Sequence, residues 1–167
     1  MRILQNVSTH CYLLESAQAN EAWGRYTFLG YDPKLEINCI DGHMKLGKLS
    51  VETENPSEYI RQILSEYKSP KFDYLPSFTG GLVGYFSYDY LGYKEKSIRG
   101  KARDTEDFKD VDLMLFDKVI AFDNLCQKII LIANMSLDAP ETGYNKAIVG
   151  LKQLRELLMH GEKTVSY

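Results

Sequence analysis

Two short segments near the start of the chain carry side chains suited to binding a small zwitterion. The first is Leu14-Glu15-Ser16, at the end of a predicted strand, and the second is Trp23-Gly24-Arg25-Tyr26, where the next strand begins. A carboxylate, a hydroxyl group, a guanidinium group and aromatic faces can together hold such a ligand. In this hypothesis Glu15 lies near the ligand's ammonium group, and Tyr26 or Trp23 lies against its apolar side chain.

A plainer interpretation uses the same residues without a ligand. Trp23 and Tyr26 then belong to the core, and Glu15 and Arg25 form a surface ion pair. Residue types alone favour this second interpretation, because large aromatic side chains are ordinarily buried and charged ones are ordinarily exposed.

The other motifs do not assemble a catalytic centre. The glycine-rich segment Gly80 to Gly84 lacks the Gly-Lys-Ser/Thr ending of a phosphate-binding loop and runs into a strand-like segment. The acidic run from Asp104 to Asp112 lacks the glycine and the final glutamate of an EF-hand loop. The three histidines, His10, His43 and His160, lie far apart in the sequence. None of them has a cysteine or carboxylate at the spacing expected of metal ligands. We therefore predict that the chain has no catalytic residues and no metal site.

Charge and cysteine content narrow the class of protein further. The net charge is −3, from 20 basic and 23 acidic side chains, so the chain offers no basic field for a phosphate backbone. Cys11, Cys39 and Cys126 are spaced like neither a disulfide framework nor a zinc site. No apolar run reaches the ~18 residues of a membrane span. These features predict a cytoplasmic protein with neither nucleic acid nor a membrane as partner.

Strand signals dominate the first half of the chain. Cys11 to Leu14 is predicted as the first strand, Arg25 to Tyr31 as the second and Lys34 to Ile40 as the third. The dipeptide Asp41-Gly42 predicts a hairpin turn, since both residues tolerate positive φ, and Met44 to Leu46 would return from it.

Two helices and a second group of strands follow. Capping signals at Asn55-Pro56 and at Asp138-Ala139-Pro140 predict two amphipathic helices. Between them, Thr79 to Tyr90 is predicted as a long central strand, paired with Leu113 to Phe122 and Lys128 to Asn134. Successive strands are connected as hairpins rather than alternating with helices. The predicted fold class is therefore α+β, a mostly antiparallel sheet assembly with helices packed on the outside. Residues 1–167 are predicted to form a single domain.

Several segments, in order, resemble one known family. They are Tyr12 to Ser16, Trp23 to Pro33, Phe78 to Asp89, Asp112 to Asp117 and the strand through Phe122-Asp123. At these residues the sequence is similar to the amino-terminal domain of anthranilate synthase component I. Component I of 4-amino-4-deoxychorismate synthase, in the folate pathway, shares much of the pattern and is the nearest alternative. A stand-alone small-molecule-binding module, with no enzyme attached, is the third.

The resemblance implies regulation rather than catalysis. Component I converts chorismate and ammonia, delivered from glutamine by an amidotransferase subunit, to anthranilate and pyruvate. In that family the amino-terminal domain holds the feedback inhibitor L-tryptophan. Carried over to this chain, Ser16 would bond the bound amino acid, Leu14 and Glu15 would lie beside it, and Trp23, Gly24, Arg25 and Tyr26 would form a wall.

The resemblance also implies what is missing. Nothing in these 167 residues resembles the family's chorismate-binding domain, which follows this one and carries the carboxylates for Mg²⁺. The expected partners are therefore L-tryptophan, the chain's own carboxy-terminal chorismate-binding domain and the amidotransferase subunit. The chain by itself is expected to hold no cofactor and to be inactive toward chorismate.

Overall fold

The computed structural model describes residues 1–16, 24–98 and 108–163. Within these ranges, three α-helices and nine strands are separated by turns and loops. They are α1 (Arg2–Gln5), β1 (Cys11–Leu14), β2 (Tyr26–Tyr31), β3 (Leu35–Ile40), β4 (His43–Leu46), β5 (Leu49–Glu52), α2 (Pro56–Glu66), β6 (Gly81–Phe86), β7 (Val111–Phe116), β8 (Lys118–Asp123), β9 (Lys128–Ala133) and α3 (Pro140–His160), with a 3-10 helix at Tyr88–Tyr93.

The strands form two sheets, which lie in two compact units of the chain. The first unit takes the described residues within Met1–Pro33, Ser69–Gly80 and Phe116–Tyr167, and the second takes those within Lys34–Lys68 and Gly81–Leu115. Strand order is β1-β2-β8-β9 in the first sheet and β5-β4-β3-β7-β6 in the second. The pairings of β1 with β2, β2 with β8, β8 with β9, β3 with β4, β3 with β7 and β4 with β5 are all antiparallel. This confirms the predicted α+β class, whereas the single domain over residues 1–167 stays a prediction.

Each unit packs a helix against its sheet. In the first unit Leu4 of α1 and Leu154 of α3 are buried against Ile120 of β8. In the second unit Ile60 and Ile63 of α2 join the sheet residues Ile37, Cys39, Met44, Val111, Leu113 and Leu115 in a buried cluster. The alternation of apolar side chains along the strands and their helical spacing in α2 and α3 account for these two cores.

Local signals predict the first strand and the first hairpin turn correctly, and the two helix caps only in part. The first strand has the predicted bounds, and the Asp41-Gly42 turn has positive φ at both residues, 48° and 84°. Asn55 caps α2 by position, but its amide donates to Glu58 Oε1 at 2.6 Å and no side-chain bond reaches the helix backbone. Ala139, rather than Asp138, is the N-cap residue of α3.

Two of the strands predicted in the second half were wrong in extent, whereas the predicted strand Lys128 to Asn134 agrees with β9 to within one residue. Thr79 to Tyr90 contains β6, which ends at Phe86 and gives way to the 3-10 helix, and β6 lies at an edge of its sheet. Leu113 to Phe122 divides at Asp117 into the end of β7 and the start of β8, which belong to different sheets. Both segments look continuous because apolar residues persist through the breaks. The short α1 and β5 were not predicted.

Candidate functional site

The two segments singled out from the sequence come together in the first unit. Strands β1 and β2 are antiparallel, and Leu14 lies opposite Phe28. The end of β1, which continues into Glu15 and Ser16, therefore lies at the same end of this strand pair as Gly24 to Tyr26, where β2 begins. Trp23 lies outside the described residues.

The β1 side of this site is open to solvent. Leu14 is 46% exposed, which is high for a leucine on a strand, and Glu15 and Ser16 are exposed as well. An apolar side chain and a carboxylate side chain are thus available to a ligand at the strand end.

The β2 side is built around Arg25, which is bound by a buried carboxylate. The Arg25 Nε donates to both oxygens of Asp123 at 3.2 Å, and Nη2 donates to Oδ2 at 2.8 Å. Asp123 is fully buried, whereas the Arg25 side chain is 38% exposed. The predicted alternative of a surface pair between Glu15 and Arg25 is therefore wrong in its partner: the acidic partner of Arg25 is Asp123.

Electrostatics around this pair favour its charged form. The hydrogen bonds from Arg25, followed by those from the backbone of the β8–β9 turn, hold the pKa of Asp123 well below its usual range. Those same bonds to Asp123 raise the pKa of Arg25. Asp123 Oδ1 also accepts from the backbone N–H groups of Leu125 and Cys126, at 3.1 and 3.0 Å. Four N–H groups thus converge on one buried carboxylate, which stays ionised throughout the neutral pH range.

The β8–β9 turn also holds the backbone at the start of β2. Asn124 donates through its backbone N–H to the carbonyl of Arg25 at 2.8 Å. Its side-chain amide reaches the carbonyl of Gly24 and the hydroxyl of Thr27, both at 3.3 Å. Gly24 and Thr27 are buried as a result of this packing.

A row of aromatic side chains supports the site. Tyr26 lies 5.9 Å from Phe28 between ring centroids, Phe28 lies 5.6 Å from Phe78, and Phe78 lies 6.3 Å from Tyr12. The guanidinium of Arg25 stacks over the Tyr26 ring at 5.0 Å. The Tyr12 hydroxyl is buried without a hydrogen-bond partner among the described residues, and burial raises its pKa. Tyr26 is only half-buried, so it can still contact a ligand.

Sequence reasoning missed three residues of this arrangement. Asp123 and Phe78 were included only in the segments that resemble a known family, and Asn124 was given no role in a site. One signal was available for Asp123, since a charged residue closes an otherwise apolar strand from Val119 to Phe122. Its partner, 98 residues away, could not be identified from one sequence.

The structure gives the remaining sequence motifs structural roles. Gly81 to Gly84 lie in β6, and Asp110 accepts hydrogen bonds from the Tyr93 hydroxyl and the Asp41 N–H, at 2.7 and 2.9 Å. Asp104, Glu106 and Asp107 lie outside the described residues.

The described residues contain no group of three or more His, Cys, Asp or Glu side chains that could hold a metal ion. Among those residues, too, no helix has the length and apolar character to cross a membrane. The arrangement at β1 and β2 is equipped to bind a polar molecule, and no nucleophile paired with a base accompanies it there among the described residues.

Comparison with known proteins gives consistent matches to one enzyme subunit. The chain is 36% identical over 155 residues to anthranilate synthase component 1 of Pseudomonas aeruginosa, covering 88% of this chain and 31% of that protein. It is 34% identical over 139 residues to anthranilate synthase component 1 of Saccharomyces cerevisiae, covering 81% and 26%. The crystal structure of anthranilate synthase component I from Streptococcus pneumoniae matches with a TM-score of 0.62 and 25% identity, covering 86% of this chain and 31% of that one. No family model matches. The chain is thus similar to anthranilate synthase component I along most of its length, and it spans about a third of the length of the relatives it matches.

Proposed function

We propose that this chain is the amino-terminal, tryptophan-binding regulatory domain of an anthranilate synthase component I. One observation carries the proposal: the similarity to these subunits covers 88% of the chain, and in this chain strands β1 and β2 bring Leu14 to Ser16 and Gly24 to Tyr26 to the same end of a strand pair. A binding role suits a site that offers a carboxylate, an oriented guanidinium and an aromatic face.

The roles of the site residues follow from the charges of an amino acid. In the proposed complex, Glu15 lies near the ligand's ammonium group and Ser16 bonds the ligand. The exposed edge of Arg25 faces the ligand's carboxylate, and Leu14 and Tyr26 contact the indole ring. Arg25 already carries a buried counter-ion, so its guanidinium is held in place before the ligand arrives. Trp23 and Gly24 complete the wall.

The proposal extends to the protein that this domain regulates. In the whole protein a chorismate-binding domain, with Mg²⁺ bound there, would convert chorismate and ammonia to anthranilate and pyruvate in the cytoplasm. A glutamine amidotransferase subunit would supply the ammonia. Tryptophan can inhibit such an enzyme only by binding one arrangement of its domains more tightly than another.

The first prediction concerns catalysis. The purified chain, given chorismate, ammonium and Mg²⁺, should produce no anthranilate, because nothing in its 167 residues resembles the family's chorismate-binding domain. The fluorescence of anthranilate measures this directly, with a full-length anthranilate synthase as the positive control. Anthranilate formed at a rate proportional to the amount of chain added would contradict the prediction.

The second prediction concerns the ligand. L-Tryptophan added to the isotope-labelled chain should shift the amide resonances of Leu14 to Ser16 and Gly24 to Tyr26. The substitution Ser16→Ala should weaken binding by about 1 kcal/mol, roughly the contribution of one hydrogen bond. A titration followed by two-dimensional NMR detects binding even in the millimolar range.

A matched control separates the site from general effects of a serine substitution. Ser50 is also an exposed serine, in the short strand β5, but it lies in the second unit, so Ser50→Ala should leave the titration unchanged. Resonances at the β1–β2 site that stay in place up to the solubility limit of L-tryptophan would overturn the proposed function. An unchanged affinity in Ser16→Ala would remove Ser16 from the site.

A further inference from the structure

We infer that Asp123 is a positioning residue of the ligand site: it holds Arg25 so that the free edge of the guanidinium is oriented toward the carboxylate of a bound amino acid. The inference rests on the proposed function and adds a residue to the same site. It is drawn from the geometry of the pair and from the donors that the pair leaves unused.

The hydrogen bonds of Arg25 divide its guanidinium into two edges. Nε and Nη2 both donate to Asp123, and Nη2 also lies 3.7 Å from the sulfur of Cys126. Nη1 donates to none of the described residues. Because a guanidinium is planar and rigid, fixing the Nε–Nη2 edge also fixes the direction of the Nη1 N–H bonds. The partial exposure of the side chain leaves that edge accessible.

A positioning residue must itself be held in place, and Asp123 is. It is fully buried at the end of β8, where it lies opposite Tyr26 on one side and Lys128 on the other. The backbone N–H groups of Leu125 and Cys126 hold its Oδ1. The carboxylate is thus fixed by its strand and by its turn, and Arg25 is fixed by the carboxylate.

One face of the planar guanidinium is restrained as well, in addition to its Nε–Nη2 edge. Its stacking over Tyr26 places the cation against the aromatic ring that we assign to the ligand's side chain. A long side chain that is already ordered loses less conformational entropy when it binds a ligand. A carboxylate ligand should therefore bind more tightly to this Arg25 than to an arginine without its buried partner.

The test compares two ligands and two variants. L-Tryptophan and tryptamine, which lacks the carboxylate, are titrated into the chain and into Asp123→Asn, and binding is followed by NMR. Asparagine keeps the size of the side chain and the oxygen that accepts from Leu125 and Cys126, but it removes the charge. Asp32→Asn is the matched control, since Asp32 pairs with Lys118 at 3.0 Å in the same unit and is exposed.

The expected result is specific to the carboxylate. Asp123→Asn should raise the dissociation constant for L-tryptophan about tenfold, the equivalent of one well-oriented charged contact. It should change the constant for tryptamine by less than about twofold, and Asp32→Asn should change neither. In Asp123→Asn the Arg25 Nε–H proton should lose the chemical shift typical of a hydrogen-bonded group. The rest of the spectrum should remain that of a folded protein.

Each other outcome is decisive. Equal loss of affinity for both ligands, or unchanged affinity for L-tryptophan, would make Asp123 a structural residue only and would overturn the inference while leaving the proposed function in place. Failure of the unsubstituted chain to bind either ligand would overturn the proposed function itself. If Asp123→Asn does not fold, Arg25→Lys replaces it, because lysine keeps the charge without a second edge. Unchanged L-tryptophan affinity in Arg25→Lys overturns the inference equally.

Discussion

Replacing Gly84 by alanine should destabilise the protein by about 3 kcal/mol or more, through overpacking and backbone strain together. Gly84 lies in β6 with φ of +152°, a conformation that side-chain-bearing residues rarely adopt. A Cβ atom there would overlap the carbonyl group of Asp112 and approach the Cα of Leu113 to 2.9 Å. Both obstacles are backbone atoms of the neighbouring strand β7, so no side-chain rotation can relieve the overlap. Strand β6 would have to separate from β7.

The matched control is a glycine with room around it. Gly150 lies in the middle of α3 and has nothing within 4 Å of the position of an added Cβ. Gly150→Ala should therefore stabilise the protein by about 0.5–1 kcal/mol, because alanine is the better helix former. Urea denaturation followed by circular dichroism gives the free energy of unfolding of both variants. A loss of less than about 1 kcal/mol in Gly84→Ala would show that β6 does not lie this close to β7.

The parts of the fold that the sequence predicts are those determined by neighbouring residues. The first strand ends at Leu14 because polar residues follow it, and the Asp41-Gly42 turn forms because both residues accept positive φ. Helix α3 begins at Pro140 and ends before Gly161, where proline and glycine are expected. In each case the signal and the structure lie within four or five residues of each other.

The parts that could not be predicted depend on distant residues. The segment from Leu113 to Phe122 is apolar almost throughout. It is divided because its two halves belong to different sheets. Asp117, at the break, directs its carbonyl group to the backbone and side chain of Asn134. Apolar periodicity within a window predicts that a strand exists, but it does not specify which sheet that strand joins.

The candidate site follows the same division. Its β1 and β2 segments could be named from the sequence because their side chains suggest chemistry on their own. The pair of Arg25 with Asp123 joins residues 98 positions apart, and only the register of β2 against β8 brings them together. The two segments at the strand ends could thus be named from the sequence, whereas the buried acidic partner of Arg25 could not.

Replacing Asn134 by aspartate should also destabilise the protein by about 3 kcal/mol, since it removes two donors and introduces a negative charge beside two carbonyl groups at a half-buried position. The Asn134 side-chain amide donates to the carbonyls of Thr79 and Asp117, at 2.7 and 3.1 Å. Its oxygen accepts from the Ser69 hydroxyl at 2.8 Å. In Asn134→Asp, two carbonyl oxygens would face a carboxylate oxygen. Thermal and urea unfolding at neutral pH measure the loss.

This substitution should affect the ligand site as well as the stability of the first unit. Asn134 bonds both ends of the segment from Ser69 to Thr79, and that segment carries Phe78, which packs between Tyr12 and Phe28 beneath the site. Acidification should recover part of the lost stability, because a protonated carboxyl group can donate where the carboxylate cannot. Asn145→Asp, on the exposed face of α3, makes the same chemical change without buried partners and should shift stability by no more than about 0.5 kcal/mol. Equal effects of the two substitutions would mean that Asn134 does not join these segments, and Phe78 would then have no fixed place beneath Tyr12 and Phe28.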